Sequence, residues 1–285
     1  MRWLITGAGG MLATDVLDRT ALTGDPVLAL ARSELDLRDR RAVRDFVRAY
    51  RPRVVINCAA WTAVDEAESR EAEALAINGH AVRWLAEACD LTGARLVHVS
   101  TDYVFDGTSA VPYREDAPTG PVNAYGRTKL AGERAALEHG HYVVRTAWLY
   151  GATGADFVRT MIRLAGERPF VDVVDDQRGQ PTWTADLAGF LVRLARSDLA
   201  PGVYHGVCSG ETTWYGLAKE VFTLLGADPG RVRPVTSAAW PRPARRPASS
   251  VLACTKAEPL RHWRAALHAA WPVIAAKAGP QCNVA

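Results

Sequence analysis

The sequence predicts an α/β fold, a doubly wound parallel sheet over residues 1–150 followed by a smaller α/β lobe over residues 151–285. Three observations carry this. Short runs rich in Val, Ile and Leu alternate with helical patterns along the first half. Those runs are too uniformly apolar to have a wet face, which is the pattern of parallel strands covered on both sides. The first of them opens directly into a glycine-containing turn, the place where open parallel sheets bind ligands.

In chain order, WLIT is a strand, a helix starts at about Met11, VLAL is a strand, a helix covers Arg40 to Tyr50, and VVIN is a third strand. A long helical region from Glu71 to Thr92, the strand LVHVS, a helix through Tyr125 and the strand YVVRTAW complete the half. Beyond Gly151 the spacing predicts helices at Asp156 to Gly166, Thr184 to Arg196 and Tyr215 to Leu225, with GVYHGV a strand between the last two. The proline-rich WPRPARRPASSVL precedes a last helix around His262 to Ala270, and the tail GPQCNVA is expected to fray. The second half is expected to hold the substrate, with some elements returning to the first sheet.

With 48% hydrophobic residues in 285, the chain can bury a sizeable core. The net charge is only +3, so nucleic acid is not an expected partner. Cys58, Cys89, Cys208, Cys254 and Cys282 form no CxxC pair and are expected to be reduced, mostly buried thiols. The histidines have no metal-ligand spacing, so no metal is expected, and His98 reads as a satisfied core residue. The first strand begins at Arg2 and no apolar run has the length of a membrane span, which predicts a cytoplasmic protein without membrane contact.

The loop TGAGGMLA places Gly7, Gly10 and Ala13 between a strand and a helix. Gly7 suits the turn, and Gly10 lets backbone N–H groups approach a pyrophosphate at the helix N-terminus, which makes this half a dinucleotide-binding (Rossmann) domain. The second strand ends in Ala31 and Arg32 where an acid would bind ribose hydroxyls. Arg32 either pairs with a 2′-phosphate, favouring NADPH over NADH, or is a solvated loop residue, and Asp36 remains able to contact the adenosine.

Tyr125 and Lys129 share a helix face at i and i+4. A neighbouring ammonium lowers a phenol's pKa from about 10, so Lys129 is expected to tune Tyr125 into a proton donor. Thr101, at the carboxyl end of LVHVS, can orient a carbonyl toward it, while Asp102 either caps the next segment or contacts a sugar. Arg246, in the proline-stiffened loop, either grips a diphosphate with two parallel hydrogen bonds or is a solvated basic residue.

With TGAGG, NCAAWTAVDEAE, STDYVFDG, YGRTK, RTAWLYG, DDQRGQPT and RPASSVL in this order, the chain resembles the dTDP-4-dehydrorhamnose reductase family of the extended short-chain dehydrogenase/reductases, from Met1 to about residue 270. The resemblance implies a catalytic set of Thr101, Tyr125 and Lys129, with Tyr125 the proton donor. It further implies that Gly7, Gly10, Met11 and Leu12 line the pyrophosphate, that Asp36 and Leu37 flank the adenosine, and that Ala59, Ala60 and Trp61 lie along the cofactor. Lys129 would hold the nicotinamide ribose, and Asn78 would stand near the active site. Thr101, Asp102 and Trp148 would contact the sugar nucleotide.

The chain departs from the family pattern at Ala13, which replaces a third glycine, at Met11 and at Cys58, which is expected to be an inert thiol. The implied activity is NAD(P)H-dependent reduction of the C4 ketone of a dTDP-4-keto-6-deoxyhexose, most simply dTDP-4-dehydro-L-rhamnose. The alternatives are a 4-ketoreductase of a specialised deoxysugar pathway and a non-catalytic NADP-binding regulatory subunit. A homodimer is the default assembly.

Overall fold

The computed structural model describes residues 1–277, so the tail GPQCNVA and Cys282 lie outside the described residues. Five strands and six helices make up the first half. They are β1 (Trp3–Thr6), α1 (Met11–Ala21), β2 (Val27–Leu30), α2 (Arg40–Tyr50), β3 (Val54–Asn57), α3 (Val64–Ala67), α4 (Glu71–Leu75), α5 (Ala81–Thr92), β4 (Arg95–Thr101), α6 (Ala124–Glu138) and β5 (Tyr142–Thr146). Then follow β6 (Leu149–Tyr150), α7 (Phe157–Glu167), β7 (Val171–Val174), β8 (Arg178–Gly179), β9 (Thr182–Trp183), α8 (Thr184–Arg196) and β10 (Gly202–His205). The chain ends with β11 (Cys208–Ser209), β12 (Thr212–Thr213), α9 (Trp214–Leu224), β13 (Val232–Val235), β14 (Leu260–His262) and α10 (Trp263–Lys277).

The central sheet is doubly wound. Its six strands, in the order β10-β5-β4-β3-β1-β2, are all parallel. Trp3, Ile5, Ile56, Val97 and Val144 pack on one face with α1 and α8. Leu4, Val55, Leu96 and Val143 pack on the other with α2 and α5. Both faces are dry, which is why the strands read as unbroken apolar runs rather than alternating ones. β10 and α8, both from beyond residue 151, belong to this layer: β10 pairs with β5 and α8 packs on α1.

Because β2 and β3 lie on opposite sides of β1, the connections diverge there, opening a crevice at the carboxyl ends of the strands. The remaining strands form two-stranded pairs in the second half, β13 with β7, β12 with β8, β11 with β14 and β6 with β9.

Two helices differ from the sequence reading. The helical region 71–92 is interrupted by a π-helical turn at Ala76–His80. There α6 presses so close that a Cβ on Gly132 would lie 2.1 Å from the Asn78 carbonyl oxygen. The last helix starts at Trp263 and runs to Lys277 through Pro272. Proline removes one backbone bond, but Leu267, Ala270 and Ile274 continue the same buried face, so packing overrides the break.

α6 is tied to the sheet by a buried ion pair. The Arg145 guanidinium on β5 forks onto Glu133, with Nε to Oε1 at 3.0 Å and Nη2 to Oε2 at 2.8 Å. Both side chains are almost without solvent exposure. Removing one partner strands a charge in the interior, so Glu133→Ala is expected to lower stability by about 3–5 kcal/mol in denaturant unfolding. A loss under about 1 kcal/mol, the worth of an exposed pair, would contradict this placement.

Candidate active site

The crevice is a cavity of about 870 Å³ whose walls are the loops that leave β1 to β5. Gly7 has φ +81°, and a Cβ there would lie 2.7 Å from the Ala59 amide nitrogen, so both the turn and the neighbouring exit of β3 require glycine. Gly9, which sequence reasoning left unassigned, is also left-handed at φ +85°. Gly10 is the N-cap of α1 and offers no side-chain cap, which leaves the first-turn N–H groups free for an anion. Met11 and Leu12 line the same wall, and Ala13 is buried.

At the other end lie Arg32, Asp36, Leu37 and Arg38. The Arg38 guanidinium forks onto Asp36 (Nε to Oδ1 2.9 Å, Nη2 to Oδ2 2.5 Å), which holds the carboxyl down at about 2. The carboxylate is thereby compensated, and two guanidinium groups face this end of the cavity.

Ala59, Ala60 and Trp61 line the middle. Their backbone is held from below. Asn57 Oδ1 accepts from the Ala59 amide (3.2 Å), while Asn78 accepts from the Trp61 amide (2.9 Å) and donates to its carbonyl (3.1 Å). The π-helical turn presents Asn78 in this way, a use to which such bulges are often put.

Thr101, Tyr125 and Lys129 converge on the deep end. Asn123 caps α6 by accepting from the Gly126 amide (2.8 Å), which fixes where the helical face begins. A Cβ on Gly126 would lie 2.1 Å from the Tyr103 carbonyl oxygen, so the glycine of YGRTK lets the helix settle there. Tyr125 then meets the Tyr103 ring edge-on at 5.8 Å.

The expected tuning of Tyr125 by Lys129 is not what the structure shows. Burial pushes the phenol up to about 12; a hydrogen bond with Thr101 opposes this and the Asp102 carboxylate adds to it. The Lys129 ammonium donates to the Val99 carbonyl at 2.7 Å. Lys129 is itself pushed down to about 8, chiefly by burial and against the pull of Glu133. Glu133 was legible as i+8 on the Tyr125 face, since the spacing that relates Tyr125 to Lys129 simply repeats.

Asp102 accepts from the Thr101 hydroxyl (2.9 Å) and is raised to about 6 by burial. Ser100 Oγ, Asp102 Oδ2 and Thr146 Oγ1 are buried without a partner, and all three residues line the cavity. Unpaired buried polar atoms around a glycine cradle fit a polar ligand such as a dinucleotide with its substrate. Cys58, in the same wall, is pushed up to about 12 by burial and stays a thiol.

Trp148 also lines the cavity, with φ +46°, and stacks on Trp214 at 3.6 Å and 7°. A Cβ on Gly179 would lie 2.4 Å from its indole, which explains the glycine of DDQRGQPT. Arg246, expected at a diphosphate, does not line the cavity. Asp65 and the Ala244 carbonyl hold its half-buried guanidinium near Tyr103, because the loop folds back onto α3 instead of hanging in solvent. Among the described residues no cluster of three or more His, Cys, Asp or Glu could hold a metal ion. No helix there is long and apolar enough to cross a membrane.

Residues 1–274 match the family model described as the RmlD substrate binding domain. The chain belongs to this family. It is 55% identical to a dTDP-4-dehydrorhamnose reductase of Streptomyces griseus, covering 98% of this chain and 95% of that protein. It is 52% identical to a dTDP-4-keto-6-deoxy-D-glucose reductase of Streptomyces niveus, with 96% and 97% covered. Among solved structures, dTDP-4-dehydrorhamnose reductase from Bacillus anthracis in complex with NADP superposes with a TM-score of 0.91 at 35% identity, covering 95% and 98% of the two chains.

Arg32 and Arg38 both line the cavity beside Asp36, so the role of Arg32 toward a 2′-phosphate can be tested directly. Arg32→Ala is expected to weaken NADPH binding roughly tenfold, the worth of one charged hydrogen bond, and to leave NADH binding unchanged. Titration of both cofactors against the variant checks this, and an equal loss for the two would contradict it.

Proposed function

We propose that the chain reduces the C4 ketone of a dTDP-4-keto-6-deoxyhexose with NADPH, the substrate being dTDP-4-dehydro-L-rhamnose and the product dTDP-L-rhamnose. The single observation behind this is one continuous cavity that joins the glycine loop of α1 to Thr101, Tyr125 and Lys129. NADPH, when bound, supplies the hydride.

Gly7, Gly10, Met11 and Leu12 would hold its pyrophosphate, Arg32, Asp36 and Leu37 its adenosine end, Ala59, Ala60 and Trp61 its middle, and Lys129 the nicotinamide ribose. Tyr125 gives its phenolic proton to the oxygen of the ketone as charge develops there. A phenol raised to about 12 stays fully protonated at neutral pH. It is still a stronger acid than an alcohol with a pKa near that of water, ~15.7, so the transfer runs downhill. Thr101 turns its one hydroxyl proton from Asp102 to the carbonyl as the ketone binds, and so orients it. Asp102 and Trp148 hold the hexose, and remote contacts to the nucleotide position the reacting carbon. Arg246 acts by fixing the loop against α3.

The Streptomyces niveus relative favours a second reading, a 4-ketoreductase of a specialised deoxysugar pathway that differs in sugar or in C4 configuration. A purely regulatory NADP-binding role is disfavoured by the convergence of three intact reactive groups on one cavity. We place the enzyme in the cytoplasm, where its nucleotide substrates are made, and take a homodimer as its assembly.

Incubation with NADPH and dTDP-4-dehydro-L-rhamnose, followed by NMR of the product, is expected to show stoichiometric cofactor oxidation and the L-rhamno configuration. Absence of oxidation would overturn the enzymatic assignment. Tyr125→Phe is expected to bind NADPH normally and lose about 10²–10⁴-fold in turnover, the range of one positioned proton donor. Unchanged turnover would remove Tyr125 from its role.

A further inference from the structure

His98 lies in β4, fully buried, and no step of the reduction uses it. Its neighbours nevertheless fix which of its nitrogens carries the proton. Asn57 Oδ1 accepts from the Thr6 hydroxyl at 2.6 Å and from the Ala59 amide at 3.2 Å. A backbone N–H only donates, so the carboxamide oxygen must face Ala59 and Nδ2 must face His98 Nδ1, 3.1 Å away. Nδ1 is then an acceptor. Burial and the nearby Lys129 hold the imidazole well below its ordinary pKa, so the ring is neutral and its one proton sits on Nε2.

Nε2 lies 3.5 Å from Lys129 Nζ. When the lysine is an ammonium, two donors confront each other there. When it is an amine, its lone pair receives the Nε2–H. The other groups around Nζ are the Val99 carbonyl on β4, the Glu133 carboxylate on α6, which Arg145 of β5 already engages, the Cys58 thiol at the exit of β3, and Tyr125 one turn back on α6. The carbonyl and the carboxylate favour the ammonium.

We propose that His98 is a positioning residue for Lys129, locked by Asn57 in the tautomer that presents Nε2–H to Nζ, so that it opposes the ammonium and eases loss of its proton. The chain of constraint runs from a backbone amide at the cofactor wall, through a carboxamide and an imidazole, to the protonation state of a residue in the proposed catalytic set. The inference rests on that set for its relevance to turnover. Its test needs no sugar nucleotide, so a failure here is distinct from a failure of the proposed reaction.

The full-length protein would be examined by NMR, with ¹³Cε-labelled lysine and ¹⁵N-labelled histidine. The lysines are Lys129, Lys219, Lys256 and Lys277, and the Lys129 signal is assigned by its loss in Lys129→Arg, as that of His98 is by His98→Gln. In the unsubstituted protein, two-bond ¹⁵N–¹H correlations are expected to show His98 as Nε2–H and Lys129 to titrate near 8. Nδ1–H, or a lysine midpoint near its ordinary ~10.4, overturns the proposal.

Asn57→Asp keeps the acceptors for Thr6 and Ala59 but presents a carboxylate oxygen to Nδ1. It should turn the ring to Nδ1–H, make Nε2 an acceptor for the ammonium, and raise the Lys129 midpoint by about one pH unit or more. A switched ring with an unmoved lysine refutes the coupling. A raised midpoint with the ring still Nε2–H assigns the shift to added charge and refutes it equally. If the variant does not fold, the tautomer of the unsubstituted protein decides, Nδ1–H refuting the proposal.

Discussion

The site depends on how closely α6 lies against its neighbours. At Gly126 and Gly132 there is no room for even a methyl group, with the Tyr103 and Asn78 carbonyl oxygens each 2.1 Å from where a Cβ would stand. Two contacts six residues apart fix both the rotation and the depth of the helix. They are helped by the Asn123 cap at its start and the Glu133–Arg145 fork near its middle. Once α6 is fixed, Tyr125, Lys129 and Glu133 follow at i, i+4 and i+8 on the face turned to the sheet. Any side chain at either glycine would push this whole face outward, and proximity effects in catalysis are lost with displacements on the order of 1 Å.

Holding that face so deep has an electrostatic consequence. A buried lysine is disfavoured as an ammonium and a buried phenol as a phenolate, so burial moves Lys129 down and Tyr125 up. The result is a neutral phenol beside an amine that titrates close to physiological pH, instead of a phenol pre-ionised by a permanent cation. For a residue that must donate a proton, the protonated form is the useful resting state. Desolvation therefore achieves what a simple Coulomb argument on the pair would have undone.

Much of this was legible in the chain because the features are local. The strand, glycine turn and helix at Trp3–Ala21 follow from periodicity and a positive φ, and the Tyr125–Lys129 face follows from helical spacing. Features that join distant segments were not. Nothing in RTAWLYG announces that Trp148 will stack on Trp214, sixty-six positions later. Nor does RPASSVL reveal that Arg246 will be consumed by Asp65, 181 residues earlier. The basic loop looked solvated or ligand-seeking because its carboxylate partner is invisible until the fold brings it in. The phenol's upward shift belongs to the same class, since burial is a tertiary property.

The unpartnered atoms at the deep end complete the physical picture. A buried polar group with no hydrogen bond costs about 1–3 kcal/mol, and Ser100 Oγ, Asp102 Oδ2 and Thr146 Oγ1 share one cavity wall. Other buried polar groups are paired, as the Thr6–Asn57–His98 series and the five contacts of Glu115 and Gln180 to backbone illustrate, while Tyr150 Oη, Arg159 Nε, Asp186 Oδ2 and His205 Nε2 are unpaired outside this cavity. What sets Ser100, Asp102 and Thr146 apart is that all three line one cavity. A ligand that pairs them recovers their cost as binding free energy, at the end of the cavity where orientation of a carbonyl matters most. The stability missing from the free fold at this edge is the complement of the affinity its ligand gains there.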